Sequence, residues 1–194
     1  MERRAPEIPY RNLLLTGHLG AGKRSAGRAV AQRLDALLID IEGEIETREG
    51  RTLRELRELF GQAHARALEA EICHELALRR SAVIVATGDV FLHPANRTIL
   101  TADSQVLCLT CALDEVLRRM YTAMGARFHE PNERARIVAR LKREWPLRTM
   151  PDLPRLDTTD LSVDQVADRA IAYWRRGVEG LRPPRPAIPE EATP

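Results

Sequence analysis

The chain has 194 residues, 44% of them apolar and 30% charged, with a formal net charge of +2. That length can bury one sizeable core and the composition is that of a globular protein, so a single domain is expected. A charge this close to balance argues against nucleic acid or an anionic membrane as partner, and no apolar run approaches the roughly 20 residues of a membrane span. Residues 1–6 hold no signal-peptide core, and Cys73, Cys108 and Cys111 make no disulfide framework, which points to the cytoplasm. A monomer or a dimer is expected.

The first element in chain order is the run Leu13, Leu14, Leu15, Thr16, which stops at Gly17. Four residues later Gly22-Lys23 opens a helix-favouring segment over 26–34. A GxxxxGK loop between strand and helix is a phosphate-binding P-loop, whose glycines let backbone N–H groups crowd round phosphate oxygens at a helix N-terminus. Lys23 would reach the β- and γ-phosphates. Lysine occurs elsewhere only at Lys142, in a chain that otherwise uses arginine, which fits a need for a compact ammonium here. The motif asks next for Ser or Thr to hold Mg²⁺, and here stands Arg24, with Ser25 one place late. Either Ser25 shifts in, or Arg24 itself neutralises phosphate and Mg²⁺ binds weakly.

Residues 36–40 form a short apolar strand ending in Asp40, and Glu42 should point to the same side while the chain stays extended. Short helices follow over 44–48 and 52–60, the second opened by a Thr52/Glu55 capping box. Gly61 breaks the pattern before a long helix over 63–80, with Ala65, Leu68, Ile72 and Leu76 on one stripe. A third strand over 82–87 halts at Gly88-Asp89, and Pro94 opens a helix to Leu100. The fourth strand, 105–109, closes in Cys108-Leu109-Thr110-Cys111. Without a second Cys or His pair nearby, this CxxC reads as two small buried apolar residues rather than a redox or zinc site. A helix over 113–121, a loop over 122–131, and a basic helix capped by Asn132 and running through Arg143 to about Leu147 come next. A short strand at 156–157 and a helix over 162–176 close the domain, and 182–194 is proline-rich. Short, continuously apolar strands alternating with helices mean βαβ units around a buried parallel sheet. Ligands bind such sheets at the carboxyl ends of the strands. The P-loop, Asp40, Gly88-Asp89 and the end of strand 105–109 are thereby gathered into one crevice.

In type and order these motifs resemble the shikimate kinase family, over about 12–176. The family's GxxGxGK loop is Gly17–Lys23, its acidic pair is Asp40-Ile41-Glu42, and its Gly-Glu-x-x-Phe-Arg-x-x-Glu is Gly61 to Glu69. Its glycine triplet is Gly88-Asp89-Val90, and Asp157-Thr158-Thr159 resembles the loop over the base. The resemblance implies a three-layer α/β/α P-loop kinase fold with a central, mostly parallel five-stranded sheet and a short lid at about 122–131. Residues 1–11 are then an N-terminal extension and 177–194 a disordered tail. It further implies transfer of the γ-phosphate of ATP, with Mg²⁺, to a hydroxyl of a small ring acid. Gly17, Gly20, Ala21, Gly22, Lys23, Arg24, Ser25, Arg119 and Thr158 would bind nucleotide. Asp40 would hold Mg²⁺ through water, with Ser25 as the candidate direct ligand. Glu42 would orient or deprotonate the acceptor, Arg66 and Arg143 would bind its carboxylate beside Glu69, Gly88 and Asp89, and Arg127 would close on the γ-phosphate.

The departures bear on the acceptor. Arg24 replaces the hydroxyl ligand, and the expected aromatics fall at Arg57 and Ala65. Asp89 replaces a glycine, and a carboxylate about 4 Å from a substrate carboxylate repels it by roughly 4 kcal/mol at an effective dielectric near 20. Asp89 would therefore point away or pair with Arg66, and a neutral or cationic acceptor would suit it better than shikimate. Two functions remain in view: a small-molecule kinase with an altered acceptor, or a catalytically impaired nucleotide-binding pseudokinase acting as a regulatory or interaction module. A gluconate or nucleoside monophosphate kinase would share the P-loop but explains the Arg66/Glu69 spacing less well.

Overall fold

The computed structural model describes residues 9–179. The sequence-based N-terminal extension and proline-rich tail fall mostly outside these residues. Of the tail, residues 177–179 continue the last helix, three positions past the expected end.

The elements run β1 (Asn12–Gly17), α1 (Lys23–Leu34), β2 (Leu37–Asp40), α2 (Ile41–Glu49), α3 (Leu53–Leu76), β3 (Ala82–Val85), α4 (Gly88–Leu92) and α5 (Pro94–Ala102). Then come β4 (Ser104–Thr110), α6 (Leu113–Met124), a 3-10 helix Gly125–His129, α7 (Pro131–Glu144), a second 3-10 helix Trp145–Arg148, β5 (Arg155–Asp157) and α8 (Val163–Glu179). The strands form one five-stranded sheet in the order β2-β3-β1-β4-β5, and every pairing is parallel. β1 is therefore central. Buried Asn12 pins its start, donating from Nδ2 to the Arg79 carbonyl at 2.9 Å and accepting the Ala82 N–H at 3.0 Å.

Helices cover both faces, which is why β1 reads as a continuous apolar run rather than an alternating one. Leu13 and Leu15 face a core shared with Val30 and Leu34 of α1 and Ala167, Ala170 and Trp174 of α8. Leu14 faces the other way, into a core with Ile41, Leu56, Ala65, Ile72 and Phe91. The Trp174 side chain is fully buried, and its indole N–H donates to the Arg11 carbonyl at 2.7 Å. Among the described residues no helix is long and apolar enough to cross a membrane.

Several local expectations need correction. The backbone is no longer extended at Glu42. Asp40 is the N-cap of α2 and Glu42 lies in its first turn, because the strand ends at Asp40. The Thr52/Glu55 capping box is present, but the helix it starts continues through a kink at Gly61 (φ +84°, ψ 169°) and ends at Leu76, short of residue 80. α7 begins with Pro131 at its first turn after Glu130, so Asn132 is not its cap; proline's fixed φ sets the start there. Most of the segment expected as a loop over 122–131 is helical, in the end of α6 and the 3-10 helix that follows.

Candidate functional site

β1 delivers the chain to the P-loop through Gly17, whose φ is +134°. A Cβ there would lie 2.0 Å from the Leu109 carbonyl oxygen of β4, so no side chain fits. The loop then turns into α1, with Gly22 as N-cap and Lys23 in the first turn. Lys23 is buried and folds back on its own loop, Nζ donating to the carbonyls of Gly17 at 2.7 Å and His18 at 2.8 Å. Burial is the largest influence on its pKa, which is lowered to about 8 despite the favourable charge of Glu144. His18 is buried beside it and braces the loop. Its Nε2 accepts the Cys111 N–H at 2.9 Å, which leaves the proton on Nδ1 to donate to the Leu19 carbonyl at 2.8 Å.

On one side of the loop is a cavity of about 420 Å³ lined by Gly22, Ser25, Arg119, Thr158 and Val166. The Arg119 guanidinium holds its wall together, donating to the Gly20 carbonyl at 3.2 Å, the Thr158 carbonyl at 2.6 Å and Glu115 at 2.7 Å. With Arg118 it holds the Glu115 carboxyl down at about pH 2. The buried Thr158 hydroxyl lies 3.1 Å from the Ala21 carbonyl and 3.0 Å from that of Thr110. Ser25, Arg119 and Thr158, distant in sequence, thus line one cavity.

A second cavity, of about 740 Å³, has a wall that includes Arg57, Arg66, Glu69, Asp89, His93 and Arg143. Glu69, expected to accompany Arg66, instead accepts from Arg57 at 2.8 Å; burial raises its pKa and the guanidinium works against that. Asp89 neither points away nor pairs with Arg66. Both its oxygens accept from Arg143, at 3.3 and 3.2 Å. The charge expected to repel an acidic ligand is thereby cancelled by the arginine expected to bind one. Among the described residues Arg66 has no ion-pair partner, although it lines the cavity. Ala65 is buried in the core and is not part of the cavity wall.

Between the cavities runs a chain of charges. Arg24 donates from Nε to Asp40 Oδ2, and from Nη2 to Glu42 Oε2 at 3.1 Å. Arg140 continues it, 3.5 Å from Glu42 and 3.0 Å from Glu144. Glu144 is completely buried, and its Oε2 accepts the Leu19 N–H of the P-loop at 2.6 Å. Gly88 makes room for it, since a Cβ at that position would lie 2.7–2.9 Å from three Glu144 side-chain carbons. Sequence reasoning missed Arg140 and Glu144, and saw Arg57 only as a lost aromatic. The detectable signal was the i,i+4 spacing of Arg140 and Glu144, an acid that ends a basic helix. Arg127 stands apart, exposed on the 3-10 helix after α6 and without an ion pair among the described residues.

These side chains fit a divalent cation poorly. The hydroxyl ligand of the motif is absent, and both acids at the end of β2 already hold the Arg24 guanidinium. Asp40 Oδ1 is a buried oxygen with no partner, and among the described residues no group of three His, Cys, Asp or Glu side chains could hold a metal. Cys108 and Cys111 are both buried, and burial pushes the Cys108 thiol up to about 11, so the CxxC is an inert part of the core.

Comparison with known proteins decides the family. The shikimate kinase family model matches residues 19–174. The chain belongs to the shikimate kinase family. A shikimate kinase of Geobacter metallireducens is 30% identical over 163 residues, spanning 84% of this chain and 91% of that one. Among solved structures, the shikimate kinase of Bacteroides thetaiotaomicron matches with a TM-score of 0.71 at 26% identity, over 87% of this chain and 98% of its own. The shikimate kinase of Acinetobacter baumannii in complex with shikimate matches with the same TM-score, 0.71, at 24% identity, over 89% and 96% of the two chains. The expected P-loop kinase fold is thus present, with every strand of its sheet parallel.

Proposed function

We propose that this chain transfers the γ-phosphoryl group of ATP to a hydroxyl of a small molecule other than shikimate. The observation that carries the reading is the pair of cavities, one on the P-loop and lined by Gly22, Ser25 and Thr158, the other lined by Glu69 and Asp89. ATP would lay its base against Arg119 and Thr158 and its phosphates on the amides of Gly20, Ala21 and Gly22. Lys23 would leave the carbonyls of Gly17 and His18 for the phosphate oxygens. The acceptor would occupy the larger cavity with its hydroxyl near Glu42, which would orient it or take its proton. Arg127, on the lid formed by 122–131, would reach the γ-phosphate only after the lid moves inward.

The acceptor follows from the charges in the cavity. Arg57 and Arg143 are engaged by Glu69 and Asp89, so Arg66 is the guanidinium left for an anionic group, and there is one such group to bind. A hydroxylated molecule with a single carboxylate fits this wall. The lost aromatics at Arg57 and Ala65 argue for a ring or chain unlike shikimate. A coupled ADP-release assay over hydroxy acids, shikimate and neutral polyols tests the reading, with Lys23→Ala as blank. Turnover confined to monocarboxylate acceptors other than shikimate, and weakened at least tenfold by Arg66→Ala, is expected; shikimate as the preferred acceptor would overturn the reading. ATP binding without turnover of any acceptor would instead favour a nucleotide-binding module without catalysis, the second reading, which the Arg24 bridge to Asp40 and Glu42 supports.

A further inference from the structure

Arg24 lies where the motif calls for a metal-binding hydroxyl, and it is held there by two acids rather than pointing freely into solvent. Its Nε and one Nη2 hydrogen satisfy Asp40 and Glu42, leaving three of the guanidinium's five N–H groups uncommitted by these bonds. The side chain is half exposed and follows directly on Lys23 in the first turn of α1. The directly linked cations and carboxylates are equal in number, with Glu46 a further acid near Arg24. Lys23, Arg24 and Arg140 are the cations, and Asp40, Glu42 and Glu144 are the carboxylates linked to them. A hydroxyl in place of Arg24 would leave this group one positive charge short, which is the condition under which a divalent ion is needed to admit a polyphosphate. We infer that Arg24 is a resident counter-ion that replaces the divalent cation, so that this chain binds nucleoside triphosphates without metal.

The inference rests on the P-loop reading of nucleotide binding proposed above and not on turnover. Its physical basis is that a fixed guanidinium already cancels the acids that would otherwise repel the phosphates, while its free N–H groups can donate to a phosphate oxygen. A divalent ion approaching Asp40 would have to compete with a cation already bonded to the same carboxylate.

The test is calorimetric titration of the full chain with ATP, in excess EDTA and again in excess MgCl₂. Wild type should bind in both, with dissociation constants within about threefold of each other. Arg24→Ser, which restores the hydroxyl, should lose at least about tenfold in EDTA and recover with Mg²⁺. Arg24→Gln keeps a polar N–H donor but neither the charge nor the hydroxyl, so it should lose affinity in EDTA and regain little with Mg²⁺. Thermal melts check that the variants fold, and the wild-type comparison stands without them. Wild-type binding that tightens about tenfold or more with Mg²⁺ would overturn the inference while leaving the P-loop reading intact. No wild-type binding in either buffer would overturn both.

Discussion

With no ligand to meet it, the Lys23 ammonium is held by the carbonyls of Gly17 and His18 in a buried site that lowers its pKa to about 8. A bound triphosphate favours the charged form. Above pH 8 the free protein has lost that proton, so binding must take one up, and ATP affinity should fall by up to about tenfold per pH unit as the pH rises beyond 8. Calorimetry at pH 7 and 9, in buffers of different ionisation enthalpy, would show the proton uptake; an affinity that stays flat would mean Lys23 remains charged throughout. Glu144 offers a second test. Glu144→Ala strands the Leu19 N–H and removes a partner of Arg140 inside the protein, which should cost about 3 kcal/mol in urea unfolding, whereas Glu144→Gln keeps an acceptor and should cost less. Equal losses for the two variants would mean that the carboxylate charge facing Arg140, which both remove, carries the effect rather than the acceptor for Leu19 or the packing against Gly88.

The turn from strand to P-loop makes the sharpest prediction among the elements. Gly17→Ala forces a methyl group 2.0 Å from a backbone carbonyl at a φ of +134°, and neither backbone can give way without breaking the β1–β4 pairing. A loss of about 3 kcal/mol, or roughly 6–12 °C in Tm, is expected. Gly50→Ala is the control: φ is also positive, but nothing lies within 4 Å, and the loss should stay near 1 kcal/mol. The same elements account for what the sequence could and could not reveal. β1, β2, β3 and β4 were legible within a few residues because strands covered on both faces are unbroken apolar runs, and the GxxxxGK loop carries its own geometry. Glu42 was placed on an extended chain because nothing in Asp40-Ile41-Glu42 says that a helix begins there. The Arg57–Glu69 pair was illegible because its partners stand on opposite sides of the Gly61 kink, and the bend that joins them is not a property of either segment. Glu144 looked like one more charged residue on a basic helix, and only the approach of α4 buries it.

For the molecule as a whole, the family resemblance gave the parallel sheet, but the partners of each strand emerge only from packing, and their order has a consequence for how the chain is made. β1 pairs only with β3 and β4, and β2 pairs only with β3. β1 and β2, which leave a ribosome before β3, therefore cannot hydrogen-bond to each other, and both wait for β3. At roughly 5–20 residues per second, the stretch of about 45 residues from Asp40 to Val85 is a delay of roughly 2–9 s. During it the leucines of β1 and β2 have helices to shelter against but no ladder to join. Stalled nascent chains exposing residues 1–80 should be cleaved readily by protease, and those exposing 1–179 should resist. Protection of the shorter chain would mean that α1 and α2 alone cover these strands. The P-loop is thus synthesised before β3 and β4 and gains its shape only after them, since the carbonyl that shapes Gly17 belongs to Leu109.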